Sequence, residues 1–267
     1  MKGVATNPLK RRILDAVRHI YAYIRHPPHT AQQIIEKEIS KLGDKSRLIL
    51  YVDGHQANEK QATHDARGAT RAVAKAEAQK LLSEIKDRVK KDLSVRKWRL
   101  DNTDKSIKKS FYWNVHDRAP FCRHMEHSGW TVQTAATEAD VAIAREIEPG
   151  DVAISRDCDM LIYGRICMLY RRISRGRFLV HDIQEVAASL DLTRAQLTIL
   201  GVVSHNDYNR NISSLGTATN HKIIRELSHA ESEKMVQSYL SHDQVALKNT
   251  TKESLALSTR VFVHFKQ

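Results

Sequence analysis

At 267 residues, 41% of them hydrophobic and 28% charged, the chain is long enough for one large domain, or a domain plus a smaller one, and can bury a real core. Its net charge of +12 and pI near 9.6 favour a polyanionic partner, most simply nucleic acid, although an anionic membrane surface could use the same charge. No run of about 18 apolar residues is present to span a bilayer, the start MKGVATNPLKRR lacks the apolar core of a signal peptide, and Cys122, Cys158 and Cys167 form no CxxC pair, so the expectation is an intracellular protein with reduced, mostly structural cysteines and no zinc site.

Leu9 to Arg25 carries Ile13, Val17, Ile20 and Ile24 at helical spacing and ends at His26-Pro27-Pro28. Thr30-Ala31-Gln32-Gln33 reads as a capping box that opens a second amphipathic helix through Ile34, Ile35, Ile39 and Leu42, closed by Gly43. Leu48 to Val52 is a near-continuous apolar run, as expected of a strand buried on both faces. It delivers Asp53-Gly54 at its carboxyl end, where the local reading is a turn. From Glu59 to about Lys109 the composition changes to Ala, Lys, Arg and Glu, with high helix propensity and a thin apolar stripe. Lys86, Arg88, Lys90, Lys91, Arg96, Lys97, Arg99, Lys105, Lys108 and Lys109 surround Trp98, Phe111, Tyr112 and Trp113. Such a run is either a solvated face or a track for phosphates with rings available for stacking.

Asp117 to His127 reads as a helix ended by Ser128-Gly129, and Trp130-Thr131-Val132 as a strand feeding Thr137 to Gly164. There Glu138 and Asp140 open a short helix with Val141, Ile143 and Ala144, which Pro149-Gly150 stops. Val152-Ala153-Ile154 follows as a strand, with Asp157 and Asp159 directly after it. Residues two apart in extended chain share a side, so both carboxylates can project from the carboxyl edge of a sheet, where open α/β folds hold ligands. Bland alternatives exist: Thr137 as helix cap with acids in the first turn, and a solvated turn at the strand end. Four acids in a basic chain favour a hard divalent cation, which takes several oxygen ligands from different elements. Helices alternating with short apolar strands imply a mostly parallel sheet with helices on both faces.

Beyond Gly164, Ile166 to Tyr170 and Arg177 to Val180 read as strands, Asp182 caps a helix through Leu190, and Thr193 to Gln196 is a capping box for a helix through Val203. Asp207 lies in the exit of that helix. The small-residue turn from Ser213 to Thr217 then leads into a helix near Ala218 with Ile223, Ile224 and Leu227 inward. A glycine turn opening a helix suits a phosphate; an ordinary helical hairpin has the same pattern. Ser228 to Gln267 reads as polar helix with a final apolar run, Val261-Phe262-Val263.

The ordered set of Tyr51-Val52-Asp53-Gly54, Glu138-Ala139-Asp140, Ser155-Arg156-Asp157-Cys158-Asp159-Met160-Leu161, and Asn206-Asp207-Tyr208 followed by Ile212-Ser213-Ser214-Leu215-Gly216 resembles the flap endonuclease and XPG family of structure-specific nucleases. The resemblance runs from about Leu48 to Leu227. It implies a PIN-like α/β domain over residues 1–190, with a basic helical arch at about 57–115, and a helix-hairpin-helix-type DNA-binding region with a helical tail over 191–267. By the same resemblance Glu138, Asp140 and Asp157 would bind one metal, and Asp159 and Asp207 would complete a second. Asp53 would lie between or beside them, and the ions would be Mg²⁺, with Mn²⁺ as the substitute.

Lys60 and Arg67 match the family's lysine and arginine over the scissile phosphate. Arg71, Ser214, Gly216, Thr217 and Lys222 would contact DNA, the partner being a flap, branch or single-strand/duplex junction. Nuclear residence follows from the resemblance alone.

Two departures stand out. The family's first strand ends in an aspartate that helps position the metals; the candidate remnant here is Val4-Ala5-Thr6-Asn7, with Asn7 where the acid belongs and weaker metal binding expected. Ser214 stands where the family commonly has glycine, and no sliding-clamp tail motif is evident. Three functions follow: a metal-dependent structure-specific nuclease, a nucleic-acid-binding relative that lost catalysis with its first-strand aspartate, and a basic scaffold with structural acids. Six acids together with Lys60 and Arg67 favour the first.

Overall fold

A computed structural model describes residues 12–15, 26–55, 60–174, 177–209, 211–227 and 231–266. Its centre is a six-stranded sheet in the order β3-β2-β1-β4-β5-β6, with β1 Arg12–Asp15, β2 Leu48–Val52, β3 Thr131–Thr134, β4 Val152–Ile154, β5 Met168–Ser174 and β6 Arg177–Asp182. All pairings are parallel except β5 with β6, so the mostly parallel sheet expected from the sequence is present.

Over Arg12–Asp15 the first strand corrects the reading of Leu9 to Arg25 as a helix, the rest of which lies outside the described residues. Arg12–Asp15 pairs with β2 on one side and β4 on the other, Ile13 opposite both Ile49 and Ala153. A short strand between two buried neighbours needs only a few apolar residues, and the helical spacing of Ile13 with Val17 and Ile20 masked it. Val4 to Asn7 lies outside the described residues; the first strand among the described residues ends in Asp15.

Two apolar layers enclose the sheet, and strand alternation decides which residue serves which. Leu48, Leu50 and Val52 of β2 and Ile154 of β4 join Ile35 and Ile39 of α1 (Pro28–Ser40) and Phe121 and Met125 of α4 (Val115–His127). Tyr51 and Ala153 face the other way, into a larger cluster with Ile143 of α5 (Ala139–Glu146) and Ile183 of α6 (Ile183–Ser189). That cluster continues through Leu197 and Val202 of α7 (Arg194–Val203), Ile223 and Ile224 of α8 (Thr217–Glu226), Met235 and Tyr239 of α9 (Ser232–Ser241), Val245 of α10 (Asp243–Lys248) and Phe262 of α11 (Ala256–Phe262). The C-terminal stretch is therefore core-forming and not merely polar. No single helix among the described residues is long and apolar enough to cross a membrane.

The Ala- and Lys-rich block forms α2 (Gln61–Lys90) and α3 (Lys97–Ser110), a hairpin tied by an Arg99–Glu84 ion pair. At 30 residues, α2 is about 45 Å long, far more than its few buried residues (Ala74, Ala78, Leu81) could anchor end to end. Val73, Val89, Leu93, Trp98 and Leu100 remain exposed along the hairpin.

Several local expectations are met. Asp182 caps α6 through the amides of Gln184 and Glu185, and Thr193 and Gln196 form a complete capping box on α7; Asn114, which the sequence reading did not single out, caps α4. The box at Thr30 is not formed, because α1 starts earlier, with Pro27 at the cap and Pro28 as first residue, a position proline tolerates. The cysteines are free, but Cys158 and Cys167 are exposed, leaving only Cys122 with a packing role.

Candidate active site

Strand order reverses between β1 and β4, the place where open α/β sheets form a crevice beyond their carboxyl ends. The acids gather at this edge, delivered by four separate stretches of chain.

Asp53 follows β2 directly, and its Oδ1 accepts the Ala139 amide at 3.0 Å. That bond serves the first amide of α5 from the loop after β2; Glu138, not Thr137, occupies the cap position, without a capping bond of its own. Gly54 makes the approach possible: a Cβ there would lie 1.9 Å from the Ala135 carbonyl oxygen, so only glycine fits. Arg118 fastens the same corner by donating to the carbonyls of Asp53 and Gly54, each at 3.0 Å. Burial pushes the Asp53 carboxyl up from its ordinary range, against the Ala139 amide and Arg118.

Asp157 and Asp159 do not share an extended strand. Asp157 caps a short 3₁₀ helix, Cys158–Leu161, by accepting the Asp159 amide at 2.9 Å. The two carboxylates nevertheless remain close enough to interact: burial, then Asp157, Asp207 and Glu138, push the Asp159 carboxyl up to about 6, with Lys60 opposing. Arg194, buried on α7, supports the far side of this turn by donating to the Leu161 carbonyl at 2.8 Å.

Asp207 comes from the loop after α7. Asn206 shapes that loop, donating to the Gly201 carbonyl at 3.0 Å and accepting the Tyr208 amide at 2.9 Å. Arg67 of α2 grips Asp207 with two bonds of 2.9 and 3.1 Å. Lys60, at the cap of α2, places Nζ 2.5 Å from Glu138 Oε2 and 3.3 Å from Asp207 Oδ2. Burial disfavours the ammonium, but Glu138, Asp207 and Asp140 outweigh it and hold its pKa above the ordinary value. Asp140, half-buried in the first turn of α5, completes the acidic set through its charge on Lys60.

The structure thus brings Asp53, Glu138, Asp140, Asp157, Asp159 and Asp207 into one region with Lys60 and Arg67. Among the described residues, no three His, Cys, Asp or Glu side chains converge closely enough to hold an ion. The donor chemistry still fits a hard divalent cation, since all six are carboxylates.

Sequence reasoning missed two residues. Tyr208 donates its hydroxyl to Glu138 Oε2 at 2.7 Å, with its ring against Phe262; it was quoted only as the neighbour of Asp207. Asp15 ends the central strand opposite Tyr51, two residues before Asp53 in register; Ile13-Leu14-Asp15 repeats in miniature the pattern of Tyr51-Val52-Asp53, and that was the available signal.

The expected DNA contacts fall in two places. Arg71 lies over the Tyr112 ring at 4.4 Å, in a cavity of about 900 Å³ lined also by Arg67, Lys108, Lys109, Phe111 and Asp207. Ser214, Gly216, Thr217 and Lys222 lie apart from it, exposed at the start of α8. Ser214 has φ 62°, left-handed backbone that explains why glycine is favoured there. Gly216 has ordinary backbone, φ −80°, and a Cβ would meet nothing within 4 Å.

Comparison with solved structures shows the fold. The chain matches the catalytic core of Rad2 in complex with DNA substrate at TM-score 0.51 and 15% identity, covering 96% of this chain and 72% of that one. It matches human GEN1 in complex with Holliday junction DNA at TM-score 0.56 and 13% identity, covering 97% and 61%. Flap endonuclease-1 from Methanococcus jannaschii gives TM-score 0.52 and 16% identity over 96% and 78%. No family model and no curated sequence matches. The fold is PIN-like, that of the flap endonuclease and XPG structure-specific nucleases.

Proposed function

We propose that this protein is a divalent-metal-dependent nuclease that hydrolyses phosphodiester bonds in flap or branched DNA, near single-strand/duplex junctions. The observation that carries the reading is the meeting of six carboxylates from four separate stretches of chain with Lys60 and Arg67 of the long helix. A purely structural set of acids has no need of that convergence. The net charge of +12 supports a nucleic-acid partner.

In this reading residues 1–190 carry the chemistry and 191–267 grip the duplex. Glu138, Asp140 and Asp157 hold one Mg²⁺, and Asp159 and Asp207 hold the second. Asp53 positions both, and Asp15, at the end of β1, is the candidate for the first-strand acid. Ions so held lower the pKa of water and offset charge developing on the phosphate. Lys60 and Arg67 add cationic stabilisation at the scissile phosphate. The cavity beside Arg71, Lys108 and Lys109 receives the sugar-phosphate chain, and the open amides at Gly216 and Thr217, with Ser214 and Lys222, take the duplex backbone away from the cut. The position of cleavage is then set by distance and not by base identity. The catalytically lapsed alternative presumed a missing first-strand acid, and β1 ends in one.

The test is cleavage of a labelled 5′-flap duplex with Mg²⁺, Mn²⁺ or EDTA. The expected result is divalent-dependent cutting near the junction that falls at least about 100-fold in Asp157→Ala while DNA binding persists. Tight binding with no cutting under any condition would refute the enzyme reading.

A further inference from the structure

Lys60 is directed into the acids. Its side chain is only 12% exposed, and Nζ sits in a cage formed by Glu138 Oε2 at 2.5 Å, Asp207 Oδ2 at 3.3 Å and the Tyr208 ring, whose centroid is 4.5 Å away. The Tyr208 hydroxyl donates to the same Glu138 oxygen, at 2.7 Å. Arg67 meanwhile has both of its bonds on Asp207, and Thr63 Oγ1 reaches the Asp207 carbonyl at 3.4 Å. Three residues from the start of α2 are therefore fastened to the acids. Lys60, moreover, bridges two carboxylates that the nuclease reading assigns to different ions.

An ammonium and a divalent cation a few ångströms apart repel strongly in a half-buried site. They cannot both occupy the space between Glu138 and Asp207. We infer that Lys60 is the resident counter-ion of the divalent-free centre, and that metal binding displaces it, loosening the first turns of α2 and releasing Lys60 and Arg67 for the substrate phosphate. The inference rests on the nuclease reading and adds an order of events: metal loading comes before engagement of the long helix with DNA. Tyr208 is the positioning residue, holding Glu138 Oε2 while its second donor leaves. Because the ammonium competes with the metal, removing it should tighten apparent metal binding by the reciprocal of the fraction of molecules in which the cage is open, about fivefold when that fraction is about one in five and more when it is smaller.

Calorimetric titration of DNA-free protein with Mn²⁺ tests this. Lys60→Met should bind at least about fivefold more tightly than wild type, and Lys60→Arg should stay near wild type because it keeps the charge. Should Lys60→Met not fold, wild type alone supplies a second readout: amide hydrogen exchange over residues 61–67 should quicken when Mn²⁺ saturates the protein. Equal or weaker binding by Lys60→Met, or slower exchange over 61–67, would overturn the displacement and leave the nuclease reading standing. No binding by any of the proteins would overturn both.

Discussion

Asp159 carries a cost that its surroundings impose. Burial and the neighbouring Asp157, Asp207 and Glu138 carboxylates push it up to about 6 from the 3.8 of a free carboxyl. Between those values the folded chain binds more protons than the unfolded one, so this group makes stability fall as pH rises through the window. In EDTA, the thermal midpoint of Asp159→Asn should therefore lose the component of decline that wild type shows from about pH 4 to 6. Identical pH profiles would contradict the clustering of acids around Asp159. The six acids were legible one by one because each follows an apolar run or opens a helix. Their partners were not. That Tyr208 would serve Glu138, that Arg118 would hold the Asp53 corner, or that Asp53 would accept the first amide of α5 depends on contacts across 64 or more residues of chain, and no local spacing encodes those.

At the scale of elements, the α2–α3 hairpin is the part most fully announced by composition. Ala, Lys, Arg and Glu make a good helix and a poor core, so the pair stands out from the sheet with its cations exposed. Whether those cations are a solvated face or a phosphate track is decided by measurement. For Arg71→Ala and Lys109→Ala, each should reduce the salt slope of binding to a single-stranded flap by about 0.7, the contribution of one phosphate contact. Slopes equal to wild type would assign the charges to solvation alone. The α1 start shows the limit of motif reading: Thr30 and Gln33 match a capping box, yet Pro27-Pro28 begin the helix before them. Near Ser214 the reverse holds, since the departure from glycine was visible in the sequence and its reason, a φ of 62°, only in the backbone.

For the whole molecule, the alternation of helices and apolar strands announced a mostly parallel sheet, but not its order. The order matters most, because it puts β1 at the centre and makes the β1/β4 crevice the meeting point of every acidic segment. It also moves the first-strand acid. Helical periodicity in Ile13, Val17 and Ile20 concealed a four-residue strand whose pairing is entirely non-local, and Asn7 was considered in place of Asp15. The proposed nuclease reading takes Asp15 as its first-strand acid in place of Asn7, and that assignment is its most exposed point. The decisive measurement is Mg²⁺-dependent cleavage of a 5′-flap duplex by Asp15→Ala and Asn7→Ala beside wild type. The account predicts at least about 100-fold loss in Asp15→Ala with DNA binding kept, and cleavage like wild type in Asn7→Ala. Full activity in Asp15→Ala, with loss in Asn7→Ala, would contradict it.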